Sequence, residues 1–278
     1  MKTSIKLFAV GIVACLLSAC STPHSKQENQ SVSSVDAINT NSRKGLSIKS
    51  PYDTVALLKL FNPERIIKNI GYYEDSTGLE GAQVYAIMTI PSNSSERYLI
   101  VFSSNQYFAD SLFKNITLDD NHAASAINSL AEVDKVGSSF NVIGFSLGFD
   151  TTGQFANPGD FSLEKFGTDN YLLHVSSSSS GQGEVTDHEQ YVTIPEGNQV
   201  LFIENYDNED AWGRQDSSFE KIENKIKKIP GANIKYDDLD VTTITTRYDI
   251  KKKKNYELIS KTLYKMDDKA KKYIKYKQ

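Results

Sequence analysis

Beyond Pro51 the chain alternates between two kinds of apolar pattern. "GAQVYAIMTIP" (81–91) and "RYLIVFSSN" (97–105) are dense, strand-like runs separated by the polar turn "SNSSE". "FNVIGF", "NYLLHV" and "QVLFIEN" have the same character. Runs that stay apolar on successive residues predict strands covered on both faces, as in a parallel sheet. Between them lie stretches whose apolar residues recur three and four apart, the helical spacing. "YDTVALLKLF" predicts one helix; "LDDNHAASAINSLAEVDKV" predicts another, starting at Asp119 or Asp120 with Ile127, Leu130 and Val133 on one face. Ser217 and Glu220 form an S-x-x-E capping box before a stripe of Phe219, Ile222, Ile226 and Ile229, and Pro230-Gly231 ends it. The lysine-rich C-terminus predicts a last helix, with Tyr256, Ile259, Leu263, Met266, Ala270 and Tyr273 packed on the sheet. Its lysines would be solvated or would touch anionic lipid headgroups. The order is βαβ with recurring crossover helices. It predicts an α/β domain over 51–278 with a mainly parallel central sheet flanked by helices.

The first fifty residues follow different rules. Lys2 and Lys6 precede "LFAVGIVACLLSA", an apolar run too short to span a bilayer as a mature helix. The run ends in "LSAC", Leu17 to Cys20, which resembles the lipobox of bacterial lipoproteins. That resemblance implies a signal peptide over 1–19, removed on maturation, and a diacylglyceryl lipid on the thiol of Cys20. Residues 20–50 are polar, rich in Ser, Asn and Gln, and lack periodic apolar positions, so they predict a flexible tether. It would hold the domain ~30 Å off the bilayer. The expected location is therefore the extracytoplasmic face of a cell membrane, with the membrane itself as a partner through Cys20.

Composition narrows the chemistry. The two cysteines are Cys15, in the leader, and Cys20, which leaves the mature domain without a thiol for a disulfide, a zinc cluster or a nucleophile. The net charge of −4 conceals a split: residues 251–278 hold 11 lysines against 3 acids. An exported, net acidic chain with its lysines at one end excludes a nucleic-acid partner. The carboxylates of "YDNED" lack the ligand spacing of a calcium loop. No metal or cofactor is expected.

One motif carries candidate chemistry. In "NVIGFSLGFD" a β-branched run leads into Gly144-x-Ser146-x-Gly148, the setting of a nucleophile elbow. From about residue 71 onward the chain resembles an α/β-hydrolase of the esterase and lipase type. Its "GLEGAQVYAIMTIP" and "RYLIVFSSN" correspond to the second and third strands, "GFSLG" to the elbow, and "QVLFIENYDNED" to the strand that delivers the acid. The resemblance implies Ser146 as nucleophile on a small ester or lipid substrate. It implies oxyanion donors at Leu147 and near Ser103 or Ser104, and Asp207 as the acid with Asp210 as fallback. The family places its histidine after the acid. Here the four histidines are His24, His122, His174 and His188, and none follows Asp207. His188, in "EVTDHEQ", is the substitute base; His174 reads as a core histidine, His122 as a helix-start or surface residue and His24 as part of the tether. Trp212 would line a substrate pocket or cover the core. A serine without a base is a poor nucleophile. Two functions follow: a serine ester hydrolase, or a catalytically inactive hydrolase fold serving as an envelope binding or interaction module.

Overall fold

The computed structural model describes residues 43–75, 78–92, 94–109, 114–119, 124–152, 154–181, 184–208, 220–231, 235–249, 252 and 254–276. It overturns the α/β expectation and with it the hydrolase comparison. The described chain is built almost wholly of antiparallel β-sheet. The first sheet contains β1 (Ser47–Ile48), β2 (Arg65–Ile67), β3 (Ile70–Asp75), β4 (Gly78–Ile90), β5 (Arg97–Ala109), β6 (Ile116–Leu118), β7 (Ala126–Val136) and β8 (Ser139–Thr152). Its order is β1-β8-β7-β5-β4-β3-β2. Strand β5 is shared: Arg97–Ser104 pairs with β7 and Tyr107–Ala109 with β6. The second sheet is a pure meander of β9 (Asp160–Lys165), β10 (Tyr171–Gly181), β11 (Glu184–Thr193), β12 (Gln199–Asp207), β13 (Glu220–Ile229), β14 (Asp238–Asp249), β15 (Lys254–Asp267) and β16 (Lys272–Tyr276).

The apolar runs were strands, as their composition implied, but their double-sided burial has another cause. Tyr98 to Asn105 of β5 are all buried. On one side Tyr98, Ile100 and Phe102 meet Leu57, Leu58, Leu60 and Phe61 of the N-terminal helical segment. On the other, Leu99 and Val101 meet Leu173, Val175 and Val192 of the second sheet. An antiparallel sheet sandwiched in this way has the continuous apolar strand usually found in parallel sheets.

Among the described residues the one α-helix lies in the segment expected at "YDTVALLKLF". Helix α1 (Thr54–Leu58) is capped by Asp53, whose carboxylate accepts from the Ala56 N–H at 3.0 Å. A 3-10 turn over Lys59–Phe61 follows and ends at Asn62 in the left-handed region. Arg43, buried at the start of the described chain, donates to the Leu60 carbonyl and lies over the Phe145 ring at 4.9 Å.

The three other expected helices fall on strands. Residues 126–136 form β7, the partner of β5 and β8. Residues 220–229 form β13, while Ser217 of the expected capping box lies outside the described residues. Residues 254–267 and 272–276 form β15 and β16.

The second sheet curls. Among the described residues, strand β13 pairs with β12 through Tyr206↔Ile222 and Asp207↔Lys221, with the Asn208 N–H donating to the Glu220 carbonyl beside them. It then departs, so that Lys228 near its far end meets Glu164 of β9, Nζ to Oε2 at 2.6 Å. Between the two halves of the curl lies a core of Phe166, Leu172, Tyr191, Leu201, Ile203, Leu239, Val241 and Tyr273. Tyr273 closes it by donating to the Asp237 carbonyl at 2.8 Å.

Candidate functional site

The serine motif lies within a strand. Ser146 sits in β8 opposite Leu130 of β7, with no strand-to-helix bend on either side of it. Each small residue of the motif accommodates a neighbour. Gly144 lies beneath Pro195 in the turn between β11 and β12, and a Cβ at 144 would lie 2.1 Å from Pro195 Cγ and 2.4 Å from its Cβ. Ser146 Oγ donates to the Glu196 carbonyl of the same turn at 2.9 Å. Gly197 completes the contact: a Cβ there would lie 2.9 Å from Ser146 Oγ and would collide with Phe149. Gly148 has φ +56°, a conformation that favours glycine, and its N–H donates to Ser129 Oγ at 3.0 Å. Ser129 stands at a register shift between β7 and β8. The motif is a seat in the first sheet for a turn of the second.

The remaining expected site residues are dispersed. Leu147 packs against the cluster around α1. Ser103 and Ser104 are buried in β5, separated from β8 by the intervening β7. The Ser104 hydroxyl lies 3.5 Å from Tyr73 Oη, and that phenol also donates to Glu80 at 2.6 Å. Asp207, at the end of β12, faces Lys221 of β13 at 3.4 Å. His188 is in β11; its Nε2 lies 3.3 Å from Ser179 Oγ, and its ring stacks on Phe202 at 5.7 Å between centroids. Its Nδ1 is 3.5 Å from Glu204 Oε1, an ion-pair separation that does not meet hydrogen-bond geometry. The hydrogen bonds made by Ser146 and by His188 thus go to different groups. Cys20, His24, His122, Asp210 and Trp212 lie outside the described residues.

Three polar constellations were not anticipated. The first lies between the sheets, where the Asp150 carboxyl of β8 is held by the side chains of Gln190 and Asn128 and by the Thr151 N–H. Burial pushes its pKa up, although these hydrogen bonds and the nearby His188 oppose the shift. The second is the Arg97–Glu132 ion pair joining β5 to β7, with the Glu132 side chain 2% exposed. Burial raises the Glu132 pKa, while Arg97 pulls it back. The third surrounds His174, earlier read as a core histidine. It stacks on Tyr191 at 4.7 Å, contacts Glu189 through Nε2, and lies 3.4 Å from Glu164 through Nδ1. All three link strands. Among the described residues no three His, Cys, Asp or Glu side chains form a metal-holding group.

A shallow groove of about 200 Å³ opens where β12 and β13 diverge. Asp187, Asn205, Asp207, Lys221, Glu223 and Lys225 line it. Its amides replace the missing strand pairing: the Asn224 N–H donates to Asn205 Oδ1 and its side chain to the Glu204 carbonyl, both at 2.8 Å. Mixed charge and open walls suit a polar contact surface; among the described residues no nucleophile–base pair lines it. No family model, curated protein or solved structure matches the chain.

Proposed function

We propose that the chain is a lipid-anchored extracytoplasmic protein whose two-sheet domain acts as a binding or interaction module. The anchor is the diacylglyceryl-modified Cys20, and the membrane is its first partner. Support for this part comes from the leader, the "LSAC" box and the polar tether, together with a domain free of any other cysteine once Cys15 is removed.

The observation that favours binding over ester hydrolysis is the engagement of Ser146. Its hydroxyl donates to the Glu196 carbonyl of the β11–β12 turn at 2.9 Å. An acyl-transfer nucleophile needs its proton directed at a base and open space for a carbonyl carbon. Ser146 directs its proton at a backbone acceptor, and Gly197 of the same turn lies close against its Oγ.

The test treats the protein and its Ser146→Ala variant with a fluorophosphonate probe and with short-chain esters. Equal, background-level labelling and turnover support the module; labelling that depends on Ser146 restores the hydrolase. For the anchor, Cys20→Ala should release the protein from the membrane fraction and abolish incorporation of labelled fatty acid. Retention of both in the variant contradicts anchoring at Cys20.

A further inference from the structure

The geometry points to self-association of this chain through the open edge of β15, forming a continuous intermolecular sheet about a two-fold axis at Leu258. One edge of β15 is paired with β14 from Lys254 to Tyr264. The other is paired with β16 only over Leu263–Asp267. Among the described residues, no strand pairs with that edge from Lys254 to Thr262. This leaves about 30 Å of strand edge with backbone donors and acceptors facing outward.

Edges of this length are usually blunted by proline, bulges, lysine and other charges, or a covering segment; here the charges, Lys254, Glu257 and Lys261, are of both signs. The stretch "KNYELISKT" contains no proline, and its pairing with β14 runs without a register shift. Lys254 to Lys261 are all exposed. Apolar side chains are exposed on both faces, with Tyr256 and Leu258 on one and Ile259, at 63% exposure, on the other.

A second copy of the same strand fits this edge in charge and in length. Antiparallel pairing about Leu258 sets Leu258 against Leu258, Tyr256 against Ser260, Glu257 against Ile259, and Lys254 against Thr262. The Glu257 carboxylate of each copy then lies diagonally beside the Lys261 ammonium of the other, so the favourable pair occurs twice against a single Glu257–Glu257 diagonal. Strand β16 bounds the register on one side, and on the other an axis at Glu257 would set the two Glu257 carboxylates directly opposite each other. Moving the axis one residue to Ile259 would set Asn255 opposite Leu263, where Tyr276 is already paired. The contact is isologous and closes on itself, so it yields a dimer and not a fibre.

The test uses the full lipidated chain, in its membrane and in detergent. In Leu258→Cys the Cys20 sulfur is alkylated and Cys15 is lost with the leader, so the one free thiol lies on the proposed axis. Two such residues facing each other satisfy disulfide Cα spacing in either kind of antiparallel pair. Mild oxidation should convert this variant to a covalent dimer. A control cysteine at exposed Phe108, on β5, should remain monomeric. Glu257→Lys and Lys261→Glu, both at exposed positions, should each weaken association about tenfold in detergent, and the double variant should restore it. A monomeric Leu258→Cys chain after oxidation overturns the proposal. So does a double charge variant that associates no better than the single ones, which would assign the edge to another protein or to another segment of this chain.

Discussion

Pro195 of the β11–β12 turn rests on Gly144 of β8 so closely that the glycine has no room for a side chain. The contact joins two sheets that are otherwise linked in sequence only through the connection from β8 to β9. Beside it, the cluster of Leu99, Val101, Leu130, Leu173, Val175 and Val192 forms the apolar core between the sheets. Catalytic geometry is not needed to account for the small residues of "GFSLG".

Ser146→Ala should reduce stability by about 1 kcal/mol, the net worth of one hydrogen bond, because the Glu196 carbonyl loses its donor. Chemical denaturation of both proteins measures this as a shift in midpoint with an unchanged slope. A stabilised variant would indicate that the hydroxyl sits in a strained site, as functional residues often do.

Asp150 makes stability depend on pH in a defined direction. Its pKa is raised in the folded state by burial. The stabilising contribution of its neutral form is therefore present below the unfolded value of about 3.9 and is lost as pH rises through the folded value. Asp150→Asn should flatten this loss. The melting temperature of the variant relative to the wild-type protein should rise between acid and neutral pH. A constant difference across the range contradicts the assignment.

Arg97→Met should destabilise by about 3–5 kcal/mol at neutral pH, since it leaves a buried carboxylate without its cation. The defect should shrink in acid, where Glu132 takes up a proton, and Arg97→Met combined with Glu132→Gln should recover part of the loss. Calorimetry of the three variants at two pH values measures both effects.

The sequence disclosed the strands that are apolar on both faces and concealed those with polar residues turned inward. In β13 the face that carries Ile222 and Ile226 also carries Asn224 and Lys228, whose side chains donate to Asn205 Oδ1 and Glu164 Oε2. Those inward polar side chains interrupt the alternation of period two, and the isoleucines four apart imitate a helix. Strand β7 misleads in the same way, because buried Asn128 and Glu132 stand where apolar residues would mark a strand. In β15, Tyr256, Leu258, Ser260, Thr262, Tyr264 and Met266 do alternate, but lysines and a spacing of three and four at other positions outweigh them. Ser146 was legible as an unusual residue in a small-residue setting. Its partner, 50 positions away in a turn, was not, since contact between two sheets leaves no local pattern.

The central claim is that "GFSLG" is a packing seat for the turn holding Pro195, and a double-mutant cycle at Gly144 and Pro195 tests it most directly. Gly144→Ala should cost about 1–3 kcal/mol in the wild-type background through overpacking. In a Pro195→Gly background it should cost less than half as much, giving a coupling energy above about 0.5 kcal/mol. Effects that add to within about 0.3 kcal/mol would separate the two residues and contradict the account.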